Sequence, residues 1–264
     1  MSTESSKPIS IYKPLSFRWI ARLVDSSIGG KYLVAITGLL LTGFVVFHML
    51  GNLQVFLGRD AFNHYAQSIK NLGPLLWLAR GGLLTLFVVH IVLALRLKKR
   101  GADARPVPYK YERTIQASVA SRYMVLTGLT ILVFVLFHIA HFTLGWVDRV
   151  RVADMGETIN YPELKDPVWK DPLDSSKTRH DTYRMFIDGF RNVPIVGLYI
   201  VCQLMLGMHL IHGVNSSFQS LGLNSRKFNA ILNGIGYTIT AAVVAGNVFM
   251  PLAVLFRLIG NDIS

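Results

Sequence analysis

Six histidines fall inside long apolar runs of this 264-residue chain: His48, His90, His138, His141, His209 and His212. An ionisable side chain in hydrocarbon is costly and marks a functional site by default. A single one has a plainer explanation, an interhelical hydrogen bond. Six of them, in runs that contain no Asp or Glu to pair with, point to another chemistry. Neutral imidazole is the commonest metal ligand and holds haem iron axially. Cys202 is the single cysteine, which excludes an intrachain disulfide, and there is no Cys-x-x-Cys-His for covalent attachment. Any haem here is held by axial ligands alone.

The elements that must position these residues are the apolar runs themselves. Hydrophobic residues make up 52% of the chain and charged residues only 16%, against about 25% charged in soluble domains. Five runs, 31–57, 74–95, 121–147, 192–216 and 229–258, reach the length of about 20 residues that crosses a hydrocarbon core. None shows the polar face of a soluble helix. The fold class expected is an all-α integral membrane protein, a five-transmembrane-helix bundle spanning residues 30–258. Residues 1–29 form an N-terminal segment with Lys7, Lys13, Arg18 and Arg22 but no apolar core of a signal peptide. Residues 259–264 form a short tail.

The net charge of +12 invites a nucleic-acid reading, which the placement of the charge rejects. Basic residues cluster beside the runs, where they orient a membrane protein and bind anionic lipid head groups. Arg96, Lys98, Lys99, Arg100, Arg105, Lys110, Arg113 and Arg122 lie between the second and third runs, and Arg226 and Lys227 between the fourth and fifth. The positive-inside rule then places the N-terminus in the cytoplasm and the C-terminus outside, in the inner (cytoplasmic) membrane of the cell. The connection 146–191, with charges of both signs and Pro162, Pro167 and Pro172, falls outside as an ordered polar loop without a long helix.

The rise of 1.5 Å per helical residue converts spacing into depth. His48 lies roughly 25 Å beyond Lys31, and His138 roughly 24 Å beyond Arg122, both toward the outer face. His90 lies about 9 Å before Arg96, and His212 is near the inner end of its run. Two levels result, which two stacked bis-histidine haems would fill. An internal repeat agrees: Thr37-Gly38-Leu39 precedes Phe44-Val45-Val46-Phe47-His48, and Thr127-Gly128-Leu129 precedes Phe134-Val135-Leu136-Phe137-His138, at the same Gly-to-His spacing. His141 and His209 each stand three residues from a preferred ligand, on nearly the same helix face. Either is a ligand, a partner for a haem propionate or part of a quinone site.

Several stretches are similar to one family. Gly30-Lys31 through Thr37-Gly38 to His48, Val88-Val89-His90 followed by Arg96, Ser121-Arg122 through His138, and His209-Leu210-Ile211-His212-Gly213 with Gln219-Ser220-Leu221-Gly222 are its carriers. Together they resemble the di-haem cytochrome b anchor of succinate dehydrogenase and fumarate reductase. The likeness runs from Ser27 to about Arg257 and includes the five-span layout. It implies two b haems, the outer on His48 and His138 and the inner on His90 and His212, the last preferred to His209 on the resemblance. It also implies a flavoprotein subunit and an iron–sulfur subunit on the cytoplasmic side, succinate oxidised on those partners, and quinone as substrate, with menaquinone foremost. Where some di-haem fumarate reductases carry a membrane glutamate two residues before the fourth ligand, this chain has Leu210.

Quinone candidates near the outer level are His64, Tyr65 and Arg80, with His141 behind them; Arg80 is equally a propionate partner, and 62–67 equally an interfacial helix. Lys31, Ser121 and Arg122 are candidates for the inner propionates, or topological anchors. Two rivals stand beside this reading. One is the cytochrome b anchor of a hydrogenase or formate dehydrogenase. The other is a haem-free transporter, against which the lack of an intramembrane carboxylate argues.

Overall fold

The computed structural model describes residues 23–105, 107, 117–147, 149–152, 157–167, 169–170, 177–223, 225 and 227–263. Lys7, Lys13, Arg18, Arg22, Lys110, Arg113 and Arg226 of the charge argument lie outside the described residues, as do parts of the segments 1–29 and 146–191.

Helix α1 (Ser27–Leu53) starts where the Ser26 hydroxyl accepts the Gly29 amide at 2.8 Å, satisfying one of the orphan donors of the first turn. A 3₁₀ turn (Gln54–Leu57) and Gly58 at φ 94° redirect the chain into the amphipathic α2 (Arg59–Lys70). A second positive-φ residue, Gly73, leads to Pro74 in the first turn of α3 (Pro74–Asp103), where a missing N–H costs nothing. After the short α4 (Val119–Arg122), α5 (Met124–His138) passes into a π-helical turn (Ile139–Thr143). The chain then forms an antiparallel ribbon of β1 (Arg149–Val152) and β2 (Glu157–Asn160) and the eight-residue α6 (Thr182–Gly189). Helices α7 (Val193–Ser220) and α8 (Asn229–Leu255) complete the fold.

Among the described residues five helices, α1, α3, α5, α7 and α8, are long and apolar enough to cross a membrane. The chain is an all-α membrane bundle, with the two-stranded ribbon as a decoration of its longest loop. Several boundaries shift by three or four residues from those read along the sequence, and two differ more. Helix α3 runs on to Asp103, beyond residue 95, because long basic side chains keep a helix going while their charged ends reach water. The third run stops being α-helical at His138 and leaves the helix altogether after Thr143, with Gly145 at φ 63° turning the chain.

Helix α7 packs against α1, α5 and α8, and α1 packs against α3, α7 and α8. The centre is therefore the α1–α7–α8 group, with α3 and α5 as flanks; Leu93 is the one buried residue of α3. Small residues set the close contacts, as they do between membrane helices. A Cβ built at Gly207 would come within 2.8 Å of Val244, and one at Gly246 within 2.5 Å of the Met49 sulfur. One polar tie crosses α7 and α8, from Asn247 Nδ2 to Gln203 Oε1 at 3.0 Å.

At one end of the bundle α2 and the loop after β2 close over the helices as a cap. Its core is Phe62, Tyr183, Phe186, Ile187 and Phe190, continuous with Val55 and Tyr199. At the other end, which carries Lys31, Arg96 and Arg122, Asp25 pairs with Arg96 and Arg100.

Candidate functional site

The six membrane histidines gather at two levels between the spans. At the cap end, the rings of His48 on α1 and His138 on α5 stand 5.8 Å apart and perpendicular. His48 stacks on Phe44 at 5.4 Å and keeps an exposed edge at the side of the bundle. His138 Nδ1 lies 3.2 Å from the Tyr199 hydroxyl of α7. The same hydroxyl lies 3.0 Å from Nδ1 of His141, which is completely buried in the π-turn. Phe142 stacks on the His141 ring at 4.0 Å, and Tyr161 and Phe190 close round it. A π-turn inside a membrane helix often marks a functional position, since the extra residue rotates the side chains beyond it.

Toward the basic end, the Thr37 hydroxyl of α1 lies 2.9 Å from His90 Nδ1 on α3. The Thr127 hydroxyl of α5 lies 3.1 Å from His209 Nδ1 on α7. His209 is within electrostatic range of both His90 and His212. The glycine beside each threonine faces the same ring. A Cβ at Gly38 would stand 3.0 Å from His90 Cε1, tighter than a side chain tolerates without movement. At Gly128 the figure is 3.5 Å from His209 Cε1, an ordinary contact. The repeat read in the sequence is thus a structural one: each Thr-Gly step receives a histidine from the next spanning helix along the chain.

The arrangement suits haem on three grounds. His48 and His138, on two helices with ring centres 5.8 Å apart, would be the pair to hold one haem iron toward the cap. His90 and His209 each have Nδ1 within hydrogen-bond distance of a threonine hydroxyl, and His90 also bonds the Val34 backbone, contacts of the kind that orient a metal-binding imidazole. No carboxylate lies among the apolar residues of the five spans to compete for the imidazoles, Asp103 standing at the last residue of α3 beyond its basic turn. Among the described residues no cluster of three or more His, Cys, Asp or Glu side chains forms a conventional metal site.

The remaining candidates scatter. His64 on α2 is exposed. Tyr65 is half-buried, and its hydroxyl occupies the space over Gly51, where a Cβ would stand 2.2 Å away. Arg80 is exposed and lies 5.0 Å over the Trp77 ring, a cation–π pair at the membrane-facing side of α3. Lys31 and Arg122 are exposed, and Ser121 lies in the short α4, its amide bonded to Ser118 Oγ. Among the described residues none of these is hydrogen-bonded to a membrane histidine. A shallow cleft near the cap, lined by Leu144, Gly145, Trp146, Asn160, Pro162 and Glu163, includes no candidate residue.

Sequence reasoning missed Tyr199 and the role of Thr37 and Thr127. The threonines had a signal, since they recur in the repeat; the hydroxyl of a lone tyrosine in an apolar run, which must find a partner when buried, was the signal for Tyr199. Comparison with known proteins returns no match: no family model, no curated protein and no solved structure aligns with the chain.

Proposed function

We propose that this chain is a membrane cytochrome b that holds two b haems between histidine pairs and passes electrons to or from quinone, as the anchor subunit of a succinate:quinone oxidoreductase. The observation that carries the reading is the two-level set of imidazoles among apolar runs free of carboxylates: His48 with His138 toward the cap, and His90 with a histidine of α7 toward the basic end. Bound haem would supply one-electron carriers at two depths. The protein's own part is to hold the imidazoles by their Nδ1 atoms, to keep water from the spans, and to present the basic end to soluble partners.

On this reading a flavoprotein and an iron–sulfur subunit dock at the basic end, on the cytoplasmic side of the cell membrane, and the cap faces outward. Quinone, with menaquinone foremost, is exchanged near the cap, where Tyr65, its hydroxyl over Gly51 of α1, and the exposed His64 are the candidate polar groups. Lys31, Ser121 and Arg122 are the side chains available for the propionates at the basic end, and Arg80 for those toward the cap. The assignment to the succinate family rests on the resemblance of the His-Leu-Ile-His-Gly and Gly-Lys stretches. A hydrogenase or formate dehydrogenase anchor would share the haems and differ in the soluble partner that co-purifies.

The deciding experiment is a dithionite-reduced minus oxidised spectrum of the purified chain with haem counted per polypeptide. Two b haems per chain are expected. None, in folded protein produced with ample haem, would overturn the reading and put a transporter first.

A further inference from the structure

Cations on the cap side of the bundle fall into two sets. Arg59, Arg179, Arg184 and Arg191 each have an aspartate within ion-pair distance. Lys70, Arg80 and Lys165 have no such partner among the described residues. These three are nonetheless drawn together from three segments: Lys70 ends α2, Arg80 lies in the second turn of α3, and Lys165 belongs to the loop after β2. Lys70 is within electrostatic range of both Arg80 and Lys165. Lys165 also faces His180 across an antiparallel bridge, and His180 is itself within range of Lys70. Partial burial, and then the charges of Lys165 and Arg80, hold the Lys70 ammonium below the ordinary lysine range. Like charges gathered without a counter-ion repel one another, and an anion seated among them relieves that repulsion.

The surroundings of the cluster say which anion. Arg80 stands about 9 Å along the helix axis from Pro74. At that depth in an apolar helix a guanidinium turns back toward the interface, and its charge is felt by Lys70 at the mouth of the helix. The Arg80 side chain lies 5.0 Å over the Trp77 ring, and Trp77 and Leu78 are 70% and 72% exposed. Such side chains on a spanning helix face acyl chains, and tryptophan settles at head-group level. The cluster therefore has lipid on one side and water on the other. A soluble anion would use the charges alone, whereas a phospholipid uses the charges and the apolar flank together. A zwitterionic head group brings its own cation, so three unpaired cations select a lipid of net negative charge. Orientation does not account for the group either, because the positive-inside rule allots basic residues to the opposite end.

We propose that Lys70, Arg80 and Lys165 bind the phosphodiester of an anionic phospholipid in the cap-side leaflet, with Trp77 and Leu78 against its acyl chains. The site stands apart from the haem reading and needs no haem to be tested. It also has a structural consequence. Helix α3, whose one buried residue is Leu93, packs chiefly on α1. A phosphate held by Arg80 on one side and by Lys70 and Lys165 on the other ties this loosely packed flank to the cap.

The test titrates the whole chain, purified in detergent and stripped of lipid, with phosphatidylglycerol carrying brominated acyl chains, which quench nearby tryptophan. The Trp77 signal is the difference between the chain and its Trp77→Phe variant. Saturable quenching of Trp77 is expected at concentrations where brominated phosphatidylcholine quenches little. Replacing Lys70, Arg80 and Lys165 together by Gln is expected to weaken phosphatidylglycerol about a hundredfold. Should that variant fail to fold, Lys165→Gln decides, with an expected loss of about fivefold. Equal affinity for the two lipids, or unchanged affinity in the variants, overturns the proposal. So does an equal loss in a variant with Lys98→Gln and Lys99→Gln at the basic end, which would reduce the effect to general charge attraction. Displacement of the lipid by an equal concentration of inorganic phosphate would assign the cations to a soluble anion. A folded triple variant that binds less haem than the unsubstituted chain would assign them to a propionate, and either result overturns the lipid site.

Discussion

Tyr199 has one hydroxyl proton and two imidazoles within reach, His138 at 3.2 Å and His141 at 3.0 Å. It can donate to one and must accept from the other. If His138 ligates iron through Nε2, its Nδ1–H donates to Tyr199 and the tyrosine donates to His141. Tyr199 then does toward the cap what the threonines do toward the basic end, and His141 supports a ligand rather than being one. Tyr199→Phe keeps the ring packing and removes both hydrogen bonds. It is expected to cost about 1–2 kcal/mol in stability. It should also raise the potential of the haem that His138→Ala eliminates, read by redox titration. A variant with wild-type potentials would mean that the His138 ring is oriented by packing alone.

The cap is held by an element-scale network that joins α2 to the loop before α6. Asn63, fully buried, donates to Asp166 and Asp181 at 3.0 Å each and accepts the Tyr183 amide at 2.8 Å. Asp181 also caps α6 by accepting the Arg184 amide and pairs with Arg59. Arg179, itself buried, lies between Asp166 and Asp60. Buried charges are tolerated only when paired and hydrogen-bonded in this way. Within the cap His180 bonds the Leu164 carbonyl at 2.8 Å, and burial, followed by the nearby Lys70 charge, pulls its pKa down to about 4. The unfolded imidazole titrates near 6.5, so below that pH the opened cap takes up a proton that the closed cap refuses. The stability contributed by neutral His180 is present above about pH 6.5 and is lost as pH falls toward 4. Hydrogen exchange of α2 and α6 should accelerate over that window, and His180→Gln should flatten the change. Equal pH dependence in the variant would place the sensitive group elsewhere.

At the scale of the whole molecule, α1 and α7 are central and α3 and α5 are flanks whose large apolar side chains stay exposed, among them Leu84, Val92, Leu129 and Leu136. Such faces suit lipid, and the Trp77–Arg80 pair on α3 suits a membrane interface. Orientation is the property the bundle itself leaves to the charges. Cys202 is buried, which gives a quiet background for labelling with an impermeant maleimide. In right-side-out vesicles Lys165→Cys, on the exposed cap loop, is expected to label, and Lys98→Cys at the basic end is expected to be protected until the membrane is permeabilised. The reverse result would invert the topology and move the soluble partners to the cap.

Lengths of apolar runs, the histidines they carry and the approximate depth of each were legible by reading along the chain. Hydrophobicity and helical rise are local properties, so span count and the Thr-Gly repeat follow from residues taken in order. The tertiary structure alone decided which helices touch, which hydroxyl meets which ring, and that His141 is enclosed in a π-turn beside Tyr199. The cap was equally hidden, since Asn63 and Asp166 are 103 positions apart and nothing near either residue announces the other. Contacts of that kind depend on packing between distant segments, as does the 3.1 Å approach of Thr127 to His209 across two helices.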